Sequence, residues 1–206
     1  MFAAKDNDMN ATKNFILEKS FGLFLQKGYN GVSIRNIQEG THLSKGAIYH
    51  HFQGKEEIFT KAMDLFFFPA LRSFHYSDTD TGTPLKKALN EAIEHRKGHI
   101  DKLREMTDFK VDDFYFFKLA FQVEEFYPDF KSKVGNTFLE EENEWREVLQ
   151  MAVQKGEIRR NTDIDLTLSL LMLIPRGLGL SMAFSSGISM DSLKEIYEKF
   201  YRTLKE

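Results

Sequence analysis

Ser44-Lys45-Gly46-Ala47 is followed by Ile48-Tyr49-His50-His51, and then by a Gly54-Lys55 break. Ser, Lys, Tyr and His all donate hydrogen bonds, and Lys carries a positive charge. Gly46 and Ala47 add almost no bulk between those donors. A helix that starts this way can lay its backbone close to another molecule and meet an anion there. Catalysis asks for a different set of residues. The chain has no cysteine. It also has no glycine-rich phosphate loop, no Gly-x-Ser-x-Gly and no His-Glu-x-x-His. We therefore expect no enzyme, no catalytic residue and no cofactor. His95 and His99 stand four apart on one helical face, with Glu91 and Asp101 nearby. No fuller ligand pattern accompanies them, so we read the pair as solvated and expect no metal site.

Helices must position these groups, and helical periodicity runs through the whole chain. Asn10 can cap a first helix in which Ile16, Leu17, Phe21 and Phe24 or Leu25 recur at helical spacing. Gly28 stops it, where a residue free to take positive φ is useful. Ser33 caps a second, short helix with Ile34 and Ile37 on one side, ending near Gly40–Thr41. After a tight turn at His42–Ser44, Ser44 caps a third helix whose Ala47, Ile48 and Phe52 face inward. Two short helices packed on a longer one form a helix-turn-helix. A fourth helix starts at Lys55–Glu56 and runs through Ile58, Phe59, Met63 and Phe66 towards Phe74. The loop His75–Pro84 follows. Further helices are expected over Pro84–Met106, Val111–Tyr127, Phe130–Lys155, Asp165–Phe184 and Met190–Lys205. The fold class is all-α, with residues 1–55 as the three-helix head and residues 56–206 as a helical body.

Charge divides along the same line. Residues 1–55 carry seven Lys and Arg against four acids, and the remainder carries 21 against 27. A mildly basic head suits an anionic partner. The N-terminal "MFAAKDNDMN" is polar and gives no signal peptide. The longest apolar run, Leu168–Phe184, is interrupted by Pro175 and Arg176, so we expect no membrane span and a soluble, cytoplasmic protein.

The stretch Gly28–Phe59, "GYNGVSIRNIQEGTHLSKGAIYHHFQGKEEIF", resembles the DNA-binding head of the TetR family of bacterial regulators. The likeness lies in Gly28–Tyr29, Ser33, Ile37, Leu43–Ser44, Lys45–Gly46–Ala47, Tyr49–Phe52 and Lys55–Glu56–Glu57–Ile58. His42 stands at a turn position that is usually Gly in the family, and His is among the residues enriched at left-handed φ. The resemblance implies that the helix from Ser44 enters the major groove of double-stranded DNA. Gly46 and Ala47 would then allow close approach, and Lys45 would reach a base edge or a phosphate. Tyr49 and His50 would bond phosphates; Ser33, Arg35 and the start of the fourth helix with Lys55 would add further contacts.

The family likeness also implies a ligand-binding, dimerising body. Phe114, Phe117 and Phe121, with Met63, Phe66 and Phe67, either line an apolar pocket for a small hydrophobic effector or form a packed core. Arg176, inside an apolar run, can meet an anionic ligand group or a carboxylate at the dimer interface. The last two helices carry Leu166, Leu170, Leu173 and Leu178, then Leu193, Ile196 and Phe200. That surface suits a homodimer interface and hence a palindromic operator. The alternative reading is a helical protein–protein adaptor that binds no DNA.

Overall fold

The structure is a computed structural model. It describes residues 2–72, 82–107, 113–184 and 190–205, and the side chains within them except at 2–9, 113–116 and 190. Among the described residues there is no strand. The elements are α1 (Phe2–Lys27), α2 (Ile34–Thr41), α3 (Lys45–His51), α4 (Lys55–Ala62), a π-helical turn (Met63–Phe67), α5 (Phe68–Leu71), α6 (Pro84–Glu105), α7 (Asp113–Phe126), α8 (Phe130–Gln154), α9 (Ile164–Phe184) and α10 (Met190–Lys205). The expected loop His75–Pro84 and the expected helix end at Phe74 fall mostly outside the described residues.

Two compact units divide the chain: residues 1–69 with 102–130, and residues 70–101 with 131–206. In the first unit, Ile16, Phe21, Phe24, Ile37, Ile48, Phe52, Ile58 and Phe59 are buried, so the three head helices and α4 share one core. Leu43, in the turn, is half-buried. Asn10 does not cap α1, which already starts at Phe2. No Gly or Pro interrupts residues 2–21, and Ala3 and Ala4 are strong helix formers, so the helix propagates upstream of the first polar cap. The π-helical turn lies just ahead of Pro69. Proline has no N–H to give an α-helical partner, and the chain widens so that Phe68 N–H bonds Met63 O.

The second unit packs Leu85, Ala88, Leu89 and Ala92 of α6 against Trp145, Val148, Leu149 and Ala152 of α8, with Leu168, Leu171 and Met172 of α9 and Leu193, Tyr197 and Leu204 of α10. Three- and four-residue spacing on each helix supplies the apolar stripes. The start of α6 is closed by a carboxylate from far along the chain. Glu157 accepts from Leu85 N at 2.8 Å and Lys86 N at 2.9 Å, and from the Tyr201 hydroxyl at 2.9 Å. A helix N-terminus offers unpaired N–H groups and the positive end of its dipole, and an anion satisfies both. Burial, and then the bond to Glu157, push the Tyr201 phenol up to about 12.

The helix expected over Asp165–Phe184 is present as α9, with Pro175 and Arg176 inside it. α9 runs unbroken through both residues and is long and apolar enough to cross a membrane by length and composition. Here it is part of the second unit's core: Thr167, Leu168, Leu171, Met172, Pro175 and Gly179 are buried.

Two glycines sit at helix ends with positive φ, Gly28 at 72° and Gly156 at 70°. Their replacement by alanine should cost different amounts. A Cβ on Gly156 meets nothing within 4 Å, so only left-handed strain is paid, about 1 kcal/mol. A Cβ on Gly28 would collide with the Gln122 carboxamide. Gln122 would have to swing away and lose its bond from Tyr29, bringing the cost to about 2 kcal/mol. Urea unfolding midpoints of the two variants measure the difference.

Candidate nucleic-acid interface

Local capping builds the helix-turn-helix. Ser33 Oγ accepts from Asn36 N at 3.3 Å while Asn36 Oδ1 accepts from Ser33 N at 2.9 Å, a reciprocal capping box. The Ser33 hydroxyl also donates to Asn36 Oδ1. α2 ends on Thr41, whose buried hydroxyl donates to Ile37 O at 2.7 Å. His42 then takes φ 58°, the left-handed conformation that reverses the chain. Ser44 Oγ accepts from Ala47 N at 3.1 Å and opens α3.

The leading edge of α3 is open. Ser44, Lys45, Gly46 and His50 are exposed, Tyr49 is 45% exposed, and Ala47 is half-buried. Ile48 and Phe52, on the opposite side, are buried at 1% and 2%. The Lys45 ammonium lies 5.7 Å from the centre of the Tyr49 ring. Arg35 is exposed in an ion pair with Glu39 at 3.0 Å. A surface pair of that kind holds a side chain weakly and leaves it available to a phosphate.

The start of α4 is arranged differently from its sequence-based reading. Lys55 donates to Tyr29 O at 2.9 Å and lies 3.9 Å over the Tyr29 ring. Loss of solvent lowers its ammonium below the usual lysine range. Gln53 N–H is taken by Glu57 Oε2 at 2.8 Å. The donors here serve the fold, because the aromatic turn at Tyr29 draws the lysine stem inward. Lys13 of α1 is brought to the other end of α3, 5.6 Å from the Phe52 ring centre. Burial, then the neighbouring His50 and Lys13, lower the His51 imidazole below its ordinary value. Lys13 is far ahead of α3 in the chain, and only helix packing reveals its proximity.

The residues expected around an effector are dispersed. Met63 and Phe67 are fully buried in the first unit, where Phe67 meets Phe68 and Phe130. Phe66 packs on Phe21 at 5.2 Å. Phe117 is half-buried and Phe121 is 73% exposed; the Phe114 side chain lies outside the described residues. In the second unit, Arg176 donates to Glu141 Oε2 at 2.9 Å and sits 3.8 Å over the Phe138 ring. Glu141 is 1% exposed, so Arg176 serves a buried carboxylate of its own protomer. On α9, Leu166, Leu170 and Leu173 are exposed and Leu178 is half-buried. On α10, Ile196 is exposed and Phe200 half-buried, but Leu193 is buried in the unit's core. His95 and His99 stack edge to face at 4.5 Å. Among the described residues no group of three or more His, Asp and Glu is placed to hold a metal ion.

Residues 16–62, which span α1 to α4, match the family model of bacterial regulatory proteins, tetR family. This chain carries, in residues 16–62, the DNA-binding head of the TetR family. It is a DNA-binding transcriptional regulator and not an enzyme. The HTH-type transcriptional repressor KstR2 of Mycobacterium tuberculosis (strain ATCC 25618 / H37Rv) is 24% identical over 164 residues, covering 77% of this chain and 74% of the relative. The HTH-type transcriptional repressor AcnR of Corynebacterium glutamicum is 42% identical over 57 residues, 28% of this chain and 30% of the relative. Among solved structures, a putative transcriptional regulator from Saccharomonospora viridis in complex with choline superposes with a TM-score of 0.68 at 19% identity, covering 94% of this chain and 96% of that one. That likeness in fold extends over nearly the whole chain.

Proposed function

We propose that this TetR-family protein is a homodimeric, cytoplasmic repressor that leaves a palindromic operator when a small hydrophobic effector binds its body. The open leading edge of α3 carries this reading: Lys45, Gly46, Tyr49 and His50 face outward around a backbone with no bulky side chain at Gly46. In this reading, residues 1–55 bind DNA and residues 56–206 bind the effector and pair the protomers. Ser44 and Ala47 lie against the groove, and Ser33 and Arg35 meet flanking phosphates. The apolar stripe of α9, Leu166, Leu170 and Leu173, supports pairing with a second copy, together with Ile196 of α10. Of the rings expected to meet an effector, Phe121 is the most open among the described side chains; Phe117 is half-buried and Phe66 packs on Phe21.

The test is selection of a duplex from a random pool, followed by titration. The selected site should be an inverted repeat. With six to ten phosphate contacts, affinity should fall about 10³- to 10⁵-fold between 50 and 200 mM salt. Apolar compounds that stabilise the protein should release the duplex, since a ligand shifts an equilibrium only by preferring one state. Selection of no duplex would leave the adaptor reading in its place. Release by none of the compounds that bind would remove the effector.

A further inference from the structure

The turn that leads into the helix-turn-helix is gripped from two sides. Tyr29 N–H donates to Gln122 Oε1, on α7, at 2.7 Å. The Tyr29 ring stacks on Phe126, one turn further along α7, with centroids 4.4 Å apart and planes at 27°. The Tyr29 ring also lies near Phe24 of α1, with centroids 6.2 Å apart, and the rest of its contacts belong to α4: the edge of Phe59 at 4.8 Å, and Lys55, which takes both the carbonyl oxygen and the ring face. One residue thus has its N–H, its carbonyl and its ring all committed, the N–H to α7, the carbonyl to α4 and the ring to α7, α4 and α1. Gly28 takes positive φ beside it and leaves the volume that the Gln122 carboxamide fills. From this turn the chain passes to Val32, whose N–H bonds Tyr29 O at 3.3 Å, and directly to the Ser33 cap of α2.

The bond to Gln122 is not needed merely to satisfy a donor, since water can reach a half-buried turn. A glutamine side chain held for this purpose loses rotamer freedom. Its neighbour Phe121 is the most exposed aromatic ring among the described side chains of α7. Successive residues of a helix are rigidly related, so a displacement of α7 at Phe121 is a displacement of Gln122.

We propose that Gln122 is a positioning residue for the DNA-binding head: through it, α7 sets the attitude of the Gly28–Tyr29 turn and with it α2 and α3. The proposal rests on the reading of α3 as the DNA-contacting helix. Gln122→Leu removes the acceptor at nearly constant volume, and Gln122→Glu keeps it. Two readouts separate positioning from plain structural support. One is affinity for the duplex selected by the wild-type protein. The other is amide hydrogen exchange over residues 33–52, which needs neither DNA nor effector. Gln122→Leu should weaken duplex binding about tenfold and speed exchange across residues 33–52. Gln122→Glu should restore both. Tyr29→Phe should match the wild type, because the hydroxyl makes none of these contacts. If Gln122→Leu fails to fold, Gln122→Met, also without an oxygen acceptor, takes its place. Wild-type affinity in the leucine variant, or exchange changes confined to residues 28–32 and 119–126, overturns the proposal. If the wild type selects no duplex, the DNA reading fails instead, and exchange over residues 33–52 still decides whether Gln122 positions the head.

Discussion

Gly46→Leu is expected to raise the stability of the free protein slightly while lowering operator affinity about 100-fold, or about 2.7 kcal/mol. The two signs differ because the glycine serves no purpose in the unbound fold. It is exposed in the first turn of α3, and a Cβ there would meet only Ser44 Oγ at 3.9 Å. Glycine inside a helix costs roughly 0.5–1 kcal/mol relative to alanine, and leucine recovers most of that. In a DNA groove the same position must bring backbone near base edges, and a branched four-carbon side chain holds it off. Thermal melting and a mobility-shift titration on one preparation measure both effects. An unchanged affinity would mean that α3 does not present its first turn to DNA. Lys45→Ala should weaken binding less, since it removes one contact without pushing the helix away.

Glu157→Ala should destabilise the protein by about 3 kcal/mol, which for a chain of this size lowers the melting temperature by roughly 6–12 °C. Glu157 is 7% exposed and accepts three hydrogen bonds, two from the first turn of α6 and one from Tyr201. Removing it leaves Leu85 N–H, Lys86 N–H and a phenol without their acceptor, and takes a negative charge from a helix N-terminus. Glu157→Gln retains one acceptor oxygen and should lose about half as much. Differential scanning calorimetry of the two variants separates the loss of bonds from the loss of charge. A melting point unchanged in both would mean that water replaces the carboxylate without penalty.

The features that could be read from the chain are those decided within a few residues. Ser33 and Ser44 are caps because a hydroxyl reaches an N–H three positions on. Gly28 and Gly156 end helices because their conformation is set locally, and His42 reverses the chain at φ 58° for the same reason. The helical order of the body follows from apolar spacing alone. What escaped the sequence depends on packing between distant segments. Tyr29 and Gln122 are 93 positions apart, and nothing near either one announces the other. Lys55 reads as an outward cation until Tyr29 is placed beneath it. Leu193 and Ile196 occupy neighbouring apolar positions on α10, and only the core decides that the first is enclosed and the second open.

The widened turn at Met63–Phe67 has a consequence for comparing this chain with its relatives. Up to Met63 the enclosed positions fall at Ile58, Phe59, Ala62 and Met63; afterwards they fall at Phe67 and Phe68. An unwidened helix would place the next inward residue at Phe66, so everything beyond is out of phase by one, about 100° of rotation. A relative lacking the surplus residue aligns correctly only if a single gap is opened at this spot. Without it, each residue downstream is matched to a counterpart on the wrong side of its helix, and any role carried across that mismatch goes to the wrong side chain.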